Sequence, residues 1–136
     1  MAKSFNIIRC CIAFFTIITL VLTGCSDLPG DGGTSTITGK VYVLRFNEFG
    51  TQYQDYYGPD ESVFIIYGDG TAVDDEVKTS YDGTYEFRFL RKGSYTIYCY
   101  SDCLTCDGST EPIFLNAEIT DNHQELLVDD ITIEKR

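Results

Sequence analysis

From Ile37 onward the apolar residues of this chain recur at every second position, and no stretch carries a 3.6-residue stripe. That period confines the chain to strands, because successive side chains of a strand point to opposite faces. Turn residues divide it into seven segments: 36–46, 61–68, 75–80, 84–90, 94–101, 111–120 and 126–134. In the first, Ile37, Gly39, Val41 and Val43 share one face; in the fourth, Tyr85, Phe87 and Phe89 do; in the fifth, Tyr95, Ile97 and Cys99. Seven short strands of this kind predict an all-β domain over 37–136, a seven-stranded antiparallel Greek-key sandwich. One long connection, 47–60, is polar yet carries Phe49, Tyr53, Tyr56 and Tyr57. It reads as a loop folded over the outer face of the first two strands, and the other reading is an aromatic binding loop.

The N-terminus follows different rules. Lys3 and Arg9 precede an apolar core over 10–22, interrupted only by Thr16 and Thr19, long enough for a secretory signal and short of the roughly 20 residues that span a bilayer. The run ends on Leu22-Thr23-Gly24-Cys25, which resembles the lipobox of bacterial lipoproteins. The resemblance implies a signal peptide over 1–24, cleavage after Gly24, a diacylglycerol on the Cys25 sulfur and acylation of the new amino group. The partner would then be a membrane, reached through acyl chains that each add about 0.8 kcal/mol per buried methylene. Ser26-Asp27 fits the outer membrane of a bacterial cell envelope, and residues 25–36, rich in Gly, Asp and Ser, read as a flexible tether.

The formal net charge is −11, and setting aside Lys3 and Arg9 leaves −13 on the remainder. A domain so acidic repels phosphate backbones, which argues against nucleic acid as a partner.

The centre of the chain holds Thr79, Asp82, Gly83, Tyr85 and Phe87, followed by Gly93, Tyr95 and Ile97. This Thr-x-x-Asp-Gly-x-Tyr-x-Phe pattern with its second Gly-x-Tyr resembles the carboxypeptidase regulatory-like and collagen-adhesin B-type modules, which share a transthyretin-like sandwich. The likeness implies a non-catalytic accessory or adhesive module, often in Gram-negative envelopes. Asp82-Gly83 and Lys92-Gly93 supply the positive-φ residues that tight turns need. Some adhesin relatives carry a Lys–Asn isopeptide bond. Lys40 and Asn116 are the pair to consider, but the parity of Lys40 points it outward.

Cys99, Cys103 and Cys106 have the spacing C-x3-C-x2-C. A redox pair would want a helix N-terminus, and zinc would want a fourth ligand, for which His123 is the sole histidine. In an oxidising envelope the preferred reading is a Cys103–Cys106 disulfide with Cys99 a buried free thiol; a Cys99–Cys106 bridge is the alternative. Acids at Asp69, Asp74, Asp75, Glu76, Asp129 and Asp130 do not have EF-hand spacing and read as solvated loop charge. One histidine, no Gly-x-Ser-x-Gly elbow and no phosphate-cradling glycine loop argue against an enzyme, and no cofactor is expected. Tyr98 and Tyr100 leave their strand on its outer face and, with Tyr53, Tyr56 and Tyr57, are the candidate ligand-facing aromatics. Sugar platforms more often use Trp, of which there is none. The sequence thus predicts a lipid-anchored envelope protein with a non-catalytic binding or structural module and an envelope protein or polysaccharide as partner. The alternative is a carbohydrate- or cation-binding surface accessory protein.

Overall fold

The computed structural model describes residues 28–136 as two packed β-sheets. Cys25 and the signal segment lie outside the described residues, so the lipidation reading is not addressed by the fold. Nine strands follow in order: β1 Asp31–Phe46, β2 Gln52–Tyr57, β3 Ser62–Tyr67, β4 Asp75–Lys78, β5 Thr84–Leu90, β6 Gly93–Asp102, β7 Thr110–Ile119, β8 Glu125–Leu127 and β9 Ile131–Lys135.

The first sheet is organised around the 16-residue β1. Along one edge β5 pairs antiparallel with its first half and β2 with its second. Along the other edge β8 and then β9 run parallel to it. The second sheet has the order β4-β3-β6-β7 and is antiparallel throughout. Ile37, Val41, Val43, Tyr85, Phe87, Ile131 and Ile133 from the first sheet meet Val63, Ile65, Tyr95, Ile97, Cys99, Ala117 and Ile119 from the second, all buried. The period-two faces therefore close on each other, as a sandwich requires.

Four expectations need correction. The 47–60 connection is neither of the loops considered: its second half is β2, hairpinned onto β1. The 126–134 segment is two strands, because the chain leaves β1 opposite Gly39 and Lys40, where Val128 donates its N–H to the Thr38 carbonyl. Both pieces are parallel to β1, so the sandwich is mixed rather than wholly antiparallel; alternation looks the same in either direction. Finally, β1 begins at Asp31, so 31–36 is strand rather than tether. Gly33 makes this possible, since a Cβ there would have no room against the Leu90 carbonyl oxygen.

Parity also slips once. Phe89 has φ of 60° and turns out to solvent, 68% exposed, which lets Leu90 take the core position instead. The motif residues have local duties. Thr79 is buried and donates its hydroxyl to the Gly58 carbonyl (2.6 Å) while accepting from the Glu61 N–H (2.8 Å). The Asp82 carboxylate accepts from the Ser80 hydroxyl, the Thr84 N–H and the Thr84 hydroxyl, and these bonds hold its pKa well below the usual carboxylate range. Gly83 completes that turn at φ of 77°.

Candidate functional site

The outer face of the second sheet collects aromatic side chains. Val63 and Ile65 point inward on β3, so Phe64 points out; Ile97 and Cys99 point inward on β6, so Tyr98 and Tyr100 point out. The register then sets Glu76, Phe64, Tyr98 and Phe114 in one row across β4, β3, β6 and β7. Phe64 stacks on Tyr98 with ring centres 5.1 Å apart and planes at 23°. Tyr100 meets both rings edge-on, at 5.7 Å from Phe64 and 5.5 Å from Tyr98, and Phe114 lies 5.3 Å from Tyr98. Such pairs contribute about 0.5–1.5 kcal/mol each beyond the area they bury. Tyr98 is hemmed in and only 6% exposed, whereas Tyr100 and Phe114 present 46% and 58% of their surface. Burial, and then the neighbouring Tyr100, raise the Tyr98 phenol pKa.

Beside Tyr100 is a hollow of about 290 Å³ lined by Asp60, Glu61, Ser62, Phe64, Lys78 and Lys135. Glu61 and Lys135 form an ion pair at 3.0 Å across it, and Lys78 donates to the Asp60 carbonyl at 3.2 Å. Apolar ring faces thus stand next to a pocket supplying both donors and acceptors.

The predicted aromatics do not converge on this site. Tyr98 and Tyr100 belong to it, but Tyr53, Tyr56 and Tyr57 lie on β2, in the other sheet. Tyr56 packs against the core. Tyr57 meets Tyr42 edge-on at 5.3 Å, donates to Asp130 at 3.0 Å, and lies under the Lys40 ammonium, 4.8 Å from its ring centre. Tyr53 borders a separate cleft of about 480 Å³ at the β1–β2 tip, with Phe46, Phe49 and Arg136. Phe64 and Phe114 went unnoticed in the sequence, although the parity of Phe114 between Ile113 and Leu115 was there to be read.

Cys103 and Cys106 are disulfide-bonded, with Cα atoms 5.6 Å apart, and Cys99 is a buried free thiol, 1% exposed. Burial pushes its pKa up to about 12. Zinc is not served by these cysteines and His123. The cysteines follow β6 at one end of the β6–β7 hairpin and His123 follows β7 at the other, about 30 Å away at 3.3 Å per residue. The Cys103 and Cys106 sulfurs lie near the Glu111 carboxylate, but both are committed to the disulfide. No helix occurs among the described residues, so a dipole-activated redox pair has no scaffold there. Lys40 pairs with Asp82 at 3.3 Å outside the first sheet, and Asn116 meets Thr96 outside the second, so no isopeptide geometry exists between them.

No family model and no curated protein matches the chain. Among solved structures, the fold is similar to a "putative carbohydrate binding protein" from Pseudomonas aeruginosa, at 13% identity and a TM-score of 0.45, covering 82% of this chain and 92% of that one.

Proposed function

We propose that the chain is a lipid-anchored protein of the bacterial cell envelope, attached through Cys25, whose transthyretin-like sandwich is a non-catalytic module that binds carbohydrate. The observation that carries the binding reading is the aromatic row Phe64–Tyr98–Phe114 with Tyr100 beside a hollow of mixed charge. A saccharide presents C–H faces that stack on rings and hydroxyls that both donate and accept, and this surface answers both requirements. An apolar peptide would cover the Glu61–Lys135 ion pair and the Asp60 and Lys78 charges without adding a partner to any of them.

The placement supports the same reading. The chain reaches the sandwich at Pro29, which packs on Gly93 at the start of β6. Tyr100 lies seven residues further along that strand, about 23 Å from the attached end. A ligand face so placed is directed away from a membrane anchor.

The test is a panel of envelope and host polysaccharides run by affinity electrophoresis against the mature protein. Tyr100→Ala and Phe114→Ala should each weaken retention about tenfold, the loss of roughly one stacked ring. Tyr53→Ala, on the other sheet, should change nothing. Unaltered binding in the Tyr100→Ala/Phe114→Ala double variant, or no binding to any polysaccharide, defeats the reading.

A further inference from the structure

The end of the sandwich where the chain arrives carries a second pocket with the opposite electrostatic character to the rest of the domain. Its volume is about 350 Å³ and its lining is Gly32, Gly33, Thr34, Arg91, Lys92, Asn122 and His123, with no carboxylate among them. The described residues include eight Lys and Arg, of which Lys40, Arg88, Lys135 and Arg136 form ion pairs. Arg45, Lys78, Arg91 and Lys92 have no ion-pair partner among the described residues, and of these only Arg91 and Lys92 are adjacent and share a pocket. Two adjacent, unneutralised cations in a domain this acidic need an account.

The pocket is built by the fold. The register sets both Asp31 and Ser35 opposite Leu90, so Gly32, Gly33 and Thr34 bulge out with no partner on β5. Gly32, at φ of 92°, lets the Arg91 guanidinium lie close above the backbone, 3.1 Å from where a Cβ would be. The Arg91 N–H donates to the Gly30 carbonyl at 2.9 Å, which fixes the turn that bears both cations. On the opposite wall the His123 N–H donates to the Thr34 hydroxyl at 3.1 Å, and the buried Ser35 hydroxyl donates to the Asp121 carbonyl and accepts from the Gln124 N–H. The carboxylates adjacent in sequence do not line the pocket: Asp31 accepts from the Tyr67 hydroxyl at 2.9 Å, and Asp121 lies within 3.3 Å of the Thr120 hydroxyl. A guanidinium, an ammonium, an amide and an imidazole around a glycine bulge form a donor-rich cradle of the kind that binds oxyanions.

We infer that this pocket binds a phosphate group, supplied either by an anionic phospholipid headgroup or by free phosphate. Gly32 is seven residues from Cys25, at most about 25 Å of chain. If Cys25 carries the proposed anchor, the pocket is within reach of the headgroup layer; the free-phosphate source does not depend on that anchor.

The experiment uses the full mature protein in micelles of a phosphate-free polyoxyethylene detergent. Inorganic phosphate is titrated by calorimetry while the His123 imidazole is followed by NMR. Saturable one-to-one binding that shifts the His123 resonance is expected, and Arg91→Gln/Lys92→Gln should weaken it at least about tenfold. Both replaced side chains reach solvent, so the fold is retained, and the His123 signal locates the site without any variant. Doping the micelles with phosphatidylglycerol separates the sources: displacement of phosphate identifies the headgroup, and undiminished phosphate binding identifies the free ion. Absence of saturable phosphate binding, a silent His123 resonance, or equal affinity in the double variant overturns the inference.

Discussion

Replacing Tyr85 by Phe should stabilise this protein. Tyr85 is 1% exposed on the inner face of β5, and its hydroxyl is buried with no hydrogen-bond partner. Burial raises the phenol pKa, so the group stays neutral, and an unpaired neutral hydroxyl is left in an apolar core. Its position has a cause. Gly39 is directly opposite on β1, and the Tyr85 ring fills the space that its missing side chain leaves, against Val128. The ring's shape is needed there and the oxygen is not. An unsatisfied buried polar group costs about 1–3 kcal/mol, so Tyr85→Phe should gain about 1–2 kcal/mol and raise Tm by about 4–8 °C for each kcal/mol gained. Urea unfolding should show a higher midpoint at an unchanged slope. The companion change Gly39→Ala would place a Cβ 2.6 Å from the Tyr85 Cζ and 2.8 Å from the Val128 Cγ2. That overpacking should cost about 1–3 kcal/mol, and less in the Tyr85→Phe background, where the hydroxyl no longer crowds the site. A Tyr85→Phe variant less stable than wild type by 1 kcal/mol or more, taking the lower bound of that penalty, would refute the reasoning, because it would mean that the oxygen has a partner.

Cys99 sets a pH dependence. Its thiol pKa rises from 9.0 to about 12 on folding, so its contribution is fully present below pH 9 and is lost as pH climbs toward about 12. Over that window wild type should lose up to about 1.4 kcal/mol per pH unit more than Cys99→Ala, read from urea midpoints at each pH; equal slopes would contradict it. At the other end of the chain, Cys25→Ala should abolish metabolic labelling with a radiolabelled fatty acid and release the protein from membranes into the soluble fraction. Persistent labelling would rule out the proposed anchor.

Much of the sandwich was legible because inward positions repeat along the middle of β1 and along β6. Ile37, Val41 and Val43, or Tyr95, Ile97 and Cys99, are all buried as their parity demands. Asp82-Gly83 was legible because a single local turn needs both residues. What escaped depends on neighbours. β2, Gln-Tyr-Gln-Asp-Tyr-Tyr, is an edge strand exposed at every position except Tyr56, so it has no apolar face to produce a pattern. β8 has three residues, too few to alternate. The slip at Phe89 needs a positive φ at a residue type that rarely takes one. The aromatic site was half visible: parity put Tyr98 and Tyr100 outside, but only strand register could bring Phe64 and Phe114 to them. The cationic pocket was not visible at all, since a bulge, a turn and a loop from three distant segments compose it.

The two sites together bear on how so acidic a domain could sit near a membrane. An anionic bilayer repels negative charge, and a net −13 would look prohibitive. Screening changes the sum. At physiological ionic strength the Debye length is about 8 Å, so charges on the far end of a strand some 23 Å long are hardly felt at the surface. At the near end the pocket cations Arg91 and Lys92 stand among carboxylates: Asp31 and Asp74 bonded to Tyr67, Asp69 in the loop beside Pro29, and Glu118 opposite Ser94. At the far end beside Tyr100, Asp60 and Glu61 are matched by Lys78 and Lys135, two acids against two bases. On the proposed anchoring, neither end therefore sets the orientation by its charge: the attachment at Pro29 does, with the Arg91–Lys92 pocket as a local contact beside it and Tyr100 about 23 Å away.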